Sequence, residues 1–301
     1  MNNNPRSTSY ILLGALALIW GTSFILIKQG LKSFSPDEVG SLRVAAASIF
    51  LMPIAFTQLR TLKRSDYWKL FVSGMLAIFI PSFLFATAQT RMDSSIAGIL
   101  NTLTPLFTMM VGAIVFRQKV SGFAIAGILL GLAGTVVLSL ARSGGSIVGF
   151  NAFALLIVLG CLMYGSNLNF VKFKIPDLRS LTITSVSLLL VGPMACIYLF
   201  GFTDFTQKLL THEGAWRSFG FVIVLGLMST AVATVIFNKL VKMTNPLFTS
   251  SVTYLMPIVS VMWGVVDGEI IQASHFIGMA AIVGGVYLAN RNWNKPIEVK
   301  K

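Results

Sequence analysis

Apolar residues along this chain gather into ten blocks separated by mostly short polar connections. A helix crossing a hydrocarbon core needs roughly 20 such residues, and the blocks are of that order. They run Tyr10–Ile27, Val39–Gln58, Trp68–Thr87, Ser94–Phe116 and Gly122–Leu140, then Phe150–Val171, Leu181–Phe200, Phe219–Asn238, Pro246–Val266 and His275–Asn290. Phe202–Arg217 is the longest connection. Arg6 precedes the first block and no small-x-small cleavage pattern follows it, so the block reads as a retained span rather than a signal peptide.

Inside two of these blocks the polar positions repeat. At one constant shift Ala97 meets Thr249, Asn101 meets Thr253, Pro105 meets Pro257, Thr108 meets Ser260 and Gly112 meets Gly264. Steps of four residues, three once, put them on one helical face. Phe85 aligns with Phe237, Leu103 with Leu255, Gly127 with Gly278 and Gly134 with Gly285, while Trp20-Gly21-Thr22-Ser23 pairs more loosely with Tyr164-Gly165-Ser166-Asn167 and Lys28 with Lys172. The chain is therefore two copies, residues 10–142 and 150–291. Each copy has five spans, an odd number, so the second is expected to enter the membrane inverted. The expected fold is an all-α integral membrane protein of ten transmembrane helices in two inverted five-helix repeats, with any solute site near the midplane between the halves.

Composition agrees. Of 301 residues 55% are hydrophobic and 11% charged, against about 25% charged in a soluble domain. The net charge of +13 suggests nucleic acid until its placement is considered. With the N-terminus in the cytoplasm, sixteen of the 23 basic residues fall on the cytoplasmic side. That is the positive-inside pattern, with both termini cytoplasmic in a plasma membrane (a bacterial inner membrane), and no nucleic-acid partner is expected. Cys161 and Cys196 lie within spans and read as small apolar fillers. His212 and His275 are too far apart to form a metal or haem site with each other. No cofactor is expected.

The chain resembles the drug/metabolite transporters built from two EamA-type five-helix repeats. The resemblance rests on Leu18-Ile19-Trp20-Gly21-Thr22-Ser23-Phe24, on Leu103-Thr104-Pro105-Leu106, and on Asp267-Gly268-Glu269 followed by Gly278 and Gly284-Gly285. It covers nearly the whole chain and implies a solute transporter, without indicating the solute. Where the second copy has Gly268-Glu269, the first has Phe116-Arg117-Gln118, so an acidic role at that point falls to the second half alone.

Paired prolines remove intrahelical hydrogen bonds and kink helices, which makes Pro105 and Pro257 hinge candidates, with a purely packing kink as the alternative. Asn101, Thr104, Thr108, Thr253 and Ser260 are candidates for a polar cavity lining; interhelical hydrogen bonding is the competing account. Trp20 and Tyr164, with Asn167, form a candidate aromatic clamp, or else core packing. Arg43 is the only charge well inside a span. Snorkelling to the headgroups, with Asp37 or Glu38 as partner, is favoured there over binding a substrate carboxylate. None of the ten acidic residues lies deep in a span, which disfavours tight proton antiport of a cationic drug.

The reading is a transporter, not an enzyme, that moves small organic metabolites such as amino acids outward by alternating access. A proton-coupled drug or cation exporter is the alternative, and an intramembrane lipid-modifying enzyme a weaker one. Partners are the small-molecule substrate and the lipid bilayer. The glycine series Gly127-Gly131-Gly134 and Gly278 with Gly284-Gly285 reads as helix-packing scaffold or as the face of a homodimer.

Overall fold

The computed structural model describes residues 5–91, 94–142 and 152–266, with positions 277, 280, 281, 284, 285, 287 and 288. The chain is a helical membrane protein, with no β-strand among the described residues. The first half contributes α1 (Pro5–Gly30), α2 (Pro36–Leu59), α3 (Arg64–Ala88), α4 (Ser94–Leu100), α5 (Thr104–Ile114) and α6 (Gly122–Arg142). The second contributes α7 (Ala154–Lys174), α8 (Ser180–Gly201), α9 (Phe205–Thr211), α10 (Ala215–Met243), α11 (Pro246–Ser250) and α12 (Val252–Val266). Among the described residues six helices, α1, α2, α3, α7, α8 and α10, are long and apolar enough to cross a membrane. The predicted fourth span is α4, a 3-10 turn at Asn101–Leu103, and α5; the ninth is α11 and α12. The seven described positions of the predicted tenth span are helical, while His275, Gly278 and the Asp267-Gly268-Glu269 motif lie outside the described residues.

Local chemistry fixes several helix ends. Glu38 accepts the Ser35 N–H at 2.7 Å with Pro36 opening α2, and Asp66 accepts the Lys63 N–H at 3.0 Å ahead of α3. Both satisfy backbone donors that a helix start leaves free. Asn245 Oδ1 accepts from the Phe248 N–H at 2.8 Å and caps α11. At the other end of α10, Lys172 Nζ reaches across from α7 to donate to the Val241 and Thr244 carbonyls at 3.2 and 2.6 Å. A cation there meets both the unpaired carbonyls and the negative end of the helix dipole.

Helix packing follows an exchange of the two halves. The α1 helix packs on α12, and its counterpart α7 packs on α5. In the same way α2 packs on α10 as α8 does on α3, and α3 on α7 as α10 does on α1. The α2 and α8 helices, equivalent to each other, form the most extensive contact in the protein. The sequence offset is 144 residues from Trp20 to Tyr164 but 152 from Phe85 to Phe237. The connection carrying α9, with no helix at the corresponding place in the first half, absorbs the difference. Even irregularities are duplicated: α3 widens to a π-helix at Met75–Phe79, and α10 does so at Leu225–Val232, the equivalent stretch.

Close helix approach is also repeated. A Cβ on Gly21 would lie 2.5 Å from Val259 Cβ of α12, and one on its equivalent, Gly165, 2.7 Å from the Thr108 backbone N of α5. A Cβ on Gly192 of α8 would overlap the side chain of Ser48 in α2. Ser48 and Gly192 are themselves one offset apart, so this contact lies where the exchange maps onto itself. Gly285 crosses α6 in the same fashion, with an added Cβ 2.6 Å from Gly131 N and 2.7 Å from Gly127 O. That part of the glycine series is spent on packing within one chain. The outer surface carries apolar side chains, with Ile11, Phe50, Phe56, Ile197 and Phe200 between half and two-thirds exposed, as a lipid-facing surface requires.

Gly165→Ala forces a methyl against the α5 backbone, which cannot rotate away, and overpacking of this kind costs about 1–3 kcal/mol. Its thermal melting temperature in detergent is expected to fall by several degrees. Gly14→Ala, where a Cβ meets nothing within 4 Å, should melt at or slightly above the parent temperature.

Candidate functional site

Between the halves lies a cavity of about 80 Å3, counted as space open to the centre of a water molecule. One water needs about 10–15 Å3 on that measure, so there is room for a small solute. Its wall is built from matched positions. Trp20 and Tyr164 line it, as do Phe85 and Phe237, Asn101 and Thr253, and Ser82 and Thr234. The π segments add Ala77 and Ile78 from α3 and their equivalents Ser229 and Thr230 from α10; Thr104 and its equivalent Met256 complete the pairs. Ser23, Phe24, Ile27, Arg43 and Ser250 line it from one half only.

The aromatics come as two equivalent pairs. The Trp20 ring meets Phe237 edge-on at 4.8 Å between centroids, and Tyr164 meets Phe85 at 5.8 Å. Trp20 Nε1 donates to the Ser229 carbonyl at 2.8 Å. The π turn thereby gives a backbone acceptor to an indole that would otherwise be unpaired in an apolar wall.

Asn101 sits where its span breaks. Pro105 has no N–H to give the Asn101 carbonyl, its partner four residues back. The carbonyl instead accepts the Thr104 N–H in the 3-10 turn and Thr104 Oγ1 at 2.8 Å. This is how a freed carbonyl is re-satisfied in hydrocarbon. The Asn101 side chain is buried, and among the described residues its Nδ2 donates only to the Met256 sulfur, at 3.6 Å. A thioether is a weak acceptor. An amide facing a cavity with so weak a partner is available to a stronger one. In the second half the helix breaks at Ser251, and Thr253 Oγ1 donates to the Ser250 carbonyl at 2.9 Å ahead of Pro257.

Five of the eight residues predicted as lining, Trp20, Asn101, Thr104, Tyr164 and Thr253, border the cavity; Thr108, Asn167 and Ser260 do not. Thr108 Oγ1 donates to the Thr104 carbonyl at 2.8 Å, and Ser260 Oγ to the Pro257 carbonyl at 3.0 Å. Asn167 Oδ1 accepts from Ser73 Oγ at 2.8 Å, which ties α7 to α3. Tyr254 turns away from the cavity and lays its ring 3.2 Å from where a Gly131 Cβ would stand. Its hydroxyl is buried with no hydrogen-bond partner among the described residues.

Arg43 departs furthest from expectation. Glu38 is taken by Lys208, at 2.9 Å, and by the Ser35 N–H. The Arg43 guanidinium instead lines the cavity and donates through Nε and Nη2 to Thr230 Oγ1 at 3.1 and 3.0 Å. Periodicity places Arg43 in its span but says nothing of which neighbour Glu38 prefers, and the α9 loop that supplies Lys208 has no repeat partner. The missed hydroxyls Ser82 and Thr234 had a signal: they fall at the same 152-residue offset as Phe85 and Phe237.

A helical membrane protein in which two repeats enclose a solute-sized cavity has the architecture of a secondary transporter. The chain belongs to the EamA-like transporter family, whose sequence pattern matches twice, over residues 7–140 and 151–291. It is a membrane-embedded transporter and not an enzyme. It is 26% identical over 287 residues to YedA, an uncharacterised inner membrane transporter of Escherichia coli K12, with 92% of this chain and 88% of the relative covered. It is 24% identical to a protein of Salmonella typhimurium named as a probable amino-acid metabolite efflux pump, covering 91% of each. A protein of the same name in Escherichia coli K12 is 26% identical, with 95% of this chain and 98% of that one covered. One solved crystal structure shares the fold at a TM-score of 0.72 and 20% identity over 95% of this chain and 98% of the other.

Asn101→Leu is expected to lower transport by at least tenfold while expression and melting temperature stay within the range of the parent. Solute flux in proteoliposomes, read beside a thermal melt of the same preparation, checks this. Unchanged flux would remove the amide from the site.

Proposed function

We propose that the protein exports small organic metabolites of the amino-acid type by alternating access around the cavity between its halves. The observation that carries the reading is the matched wall. Equivalent side chains from both repeats face one space, so rocking one half against the other can expose the same contacts to either side in turn. Relatives named as amino-acid metabolite efflux pumps support the direction and the solute class. The lining supports it chemically. Hydroxyls, one amide and four paired aromatic rings suit a small solute with a polar head and an apolar body, whereas a phosphorylated sugar would call for several buried cations. No acidic side chain lines the cavity among the described residues, which argues against proton antiport through an intramembrane carboxylate. The distribution of basic residues supports cytoplasmic termini, and a relative named as an inner membrane transporter supports that location.

In this reading Pro105 and Pro257 are the hinges. Pro105 stands just beyond the break in its span, and Pro257, inside α12, has no N–H to give the carbonyl four residues back, so bending at either needs little loss of backbone hydrogen bonding.

Counterflow tests the function. Proteoliposomes are preloaded with individual amino acids and their metabolites and assayed for trace uptake without a pH gradient. Accelerated uptake by one class is expected; uptake only under an imposed pH gradient would overturn the uncoupled mechanism. Pro257→Ala is expected to lower the exchange rate at saturating solute several-fold while half-saturation moves less than twofold. A collapse in affinity with turnover intact would remove the hinge role.

A further inference from the structure

The two halves supply equivalent positions to most of the cavity wall, but only the first supplies a charge. Arg43 is the one charged side chain among the described residues that line it. Its equivalent in the second half, 144 residues on, is Ser187, whose Oγ donates to the Leu70 carbonyl at 2.7 Å and takes no part in the wall. The helix contacts at the two places are otherwise alike: Gly226 of α10 packs against the Arg43 carbonyl as its equivalent Gly74 of α3 packs against that of Ser187. The scaffold therefore does not need a cation at this position.

No described residue neutralises that cation. No carboxylate pairs with Arg43 among the described residues, and its hydrogen-bond partner is a neutral hydroxyl, Thr230. A guanidinium remains protonated in proteins and presents a planar fork of donors that matches a carboxylate. Thr230 of α10 accepts from Arg43, and Ser229 and Thr234 of α10 line the same cavity, while the equivalent stretch of α3 offers the apolar Ala77 and Ile78 with one hydroxyl, Ser82. An ion in low dielectric is costly unless paired, and a bound anion supplies the missing pair.

We infer that Arg43 is the residue that selects the solute, and that the solute is a monocarboxylate without a compensating ammonium, such as a 2-oxo acid or an N-acylated amino acid. The inference rests on the transport reading above and narrows its solute. The carboxylate pairs with Arg43 beside Thr230, and the apolar body lies among Phe24, Phe85 and Phe237. A free amino acid would also satisfy Arg43, but its ammonium would find no carboxylate among the described lining residues, only hydroxyls, the Asn101 amide and aromatic faces. An amine would meet Arg43 as a like charge.

The charge also answers what drives export where no proton-carrying carboxylate lines the path. A monoanion leaving an inside-negative cell moves down the electrical gradient, worth about tenfold in concentration ratio per 60 mV. The membrane potential then suffices, and no coupling ion is needed.

The test uses the full chain in proteoliposomes with four probes that share one phenylalkyl body: phenylpyruvate, N-acetylphenylalanine, phenylalanine and phenethylamine. The two anions are expected to exchange at least tenfold faster than the amine and several-fold faster than the zwitterion. An imposed potential, negative on the side the anion leaves, should raise its net flux. Arg43→Gln should bring the anion-to-amine preference close to one, whereas Arg43→Lys should keep most of it. Amine or zwitterion exchange equal to or faster than the anions would overturn the inference and leave the transport reading standing. No exchange of any probe, or of any solute in the counterflow panel, would remove both. Potential-independent anion flux would sink the driving-force argument. The wild-type preferences do not depend on how Arg43→Gln folds, and a folded Arg43→Gln that keeps the preference would clear Arg43 of the role.

Discussion

Lipid tails are as apolar as the side chains that face them, so two membrane repeats gain little from hydrophobic association alone. What holds them is close backbone approach, and that requires positions without a side chain. Gly21 against α12 and Gly165 against α5 supply it on the two sides of the cavity, and Gly192 against Ser48 supplies it where α2 meets α8. Because these contacts are dense, they set the positions of α1 and α7 closely. Trp20 and Tyr164 each stand next to one of those glycines. The cavity wall is thus a consequence of where the helices are permitted to touch.

A second constraint acts along the helices. Backbone groups in hydrocarbon need partners, yet both helices that carry the polar stripe contain proline. The Asn101 carbonyl is rescued by the 3-10 turn and by the Thr104 hydroxyl. The π segments of α3 and α10 relieve the same constraint differently, with the Ser229 carbonyl spent on the Trp20 indole. Four irregular stretches, two in each half, therefore converge on one space. Regular helices could not have presented this much backbone and hydroxyl chemistry at that depth without leaving groups unpaired.

Against this symmetry the single guanidinium stands out. Glu38, the carboxylate that proximity in sequence would assign to Arg43, is instead buried with Lys208, which reaches it from α9. That ion pair frees Arg43 to face the cavity. A loop peculiar to the second half thus decides the electrostatics of a site whose geometry both halves share.

The helical membrane fold and much of the wall were legible in the chain itself, because span length and a repeated residue pattern are one-dimensional quantities. Apolar block length marked the spans, and a constant offset paired Asn101 with Thr253 and Phe85 with Phe237. The offset could equally have led from Phe85 back to Ser82 and Thr234. Which face of each helix looks inward was a different matter. Thr108 and Ser260 lie on the same stripe as Asn101, yet their hydroxyls close on their own backbones, outside the cavity lining, on helices that pack against α7 and α1. Asn167 is drawn to Ser73 by the contact of α7 with α3. The break in the fourth span, the π turns and the competition of Lys208 for Glu38 all depend on partners far along the chain. Sequence determined what could be buried in the membrane; only tertiary packing decided which polar groups satisfied one another and which were left facing the cavity.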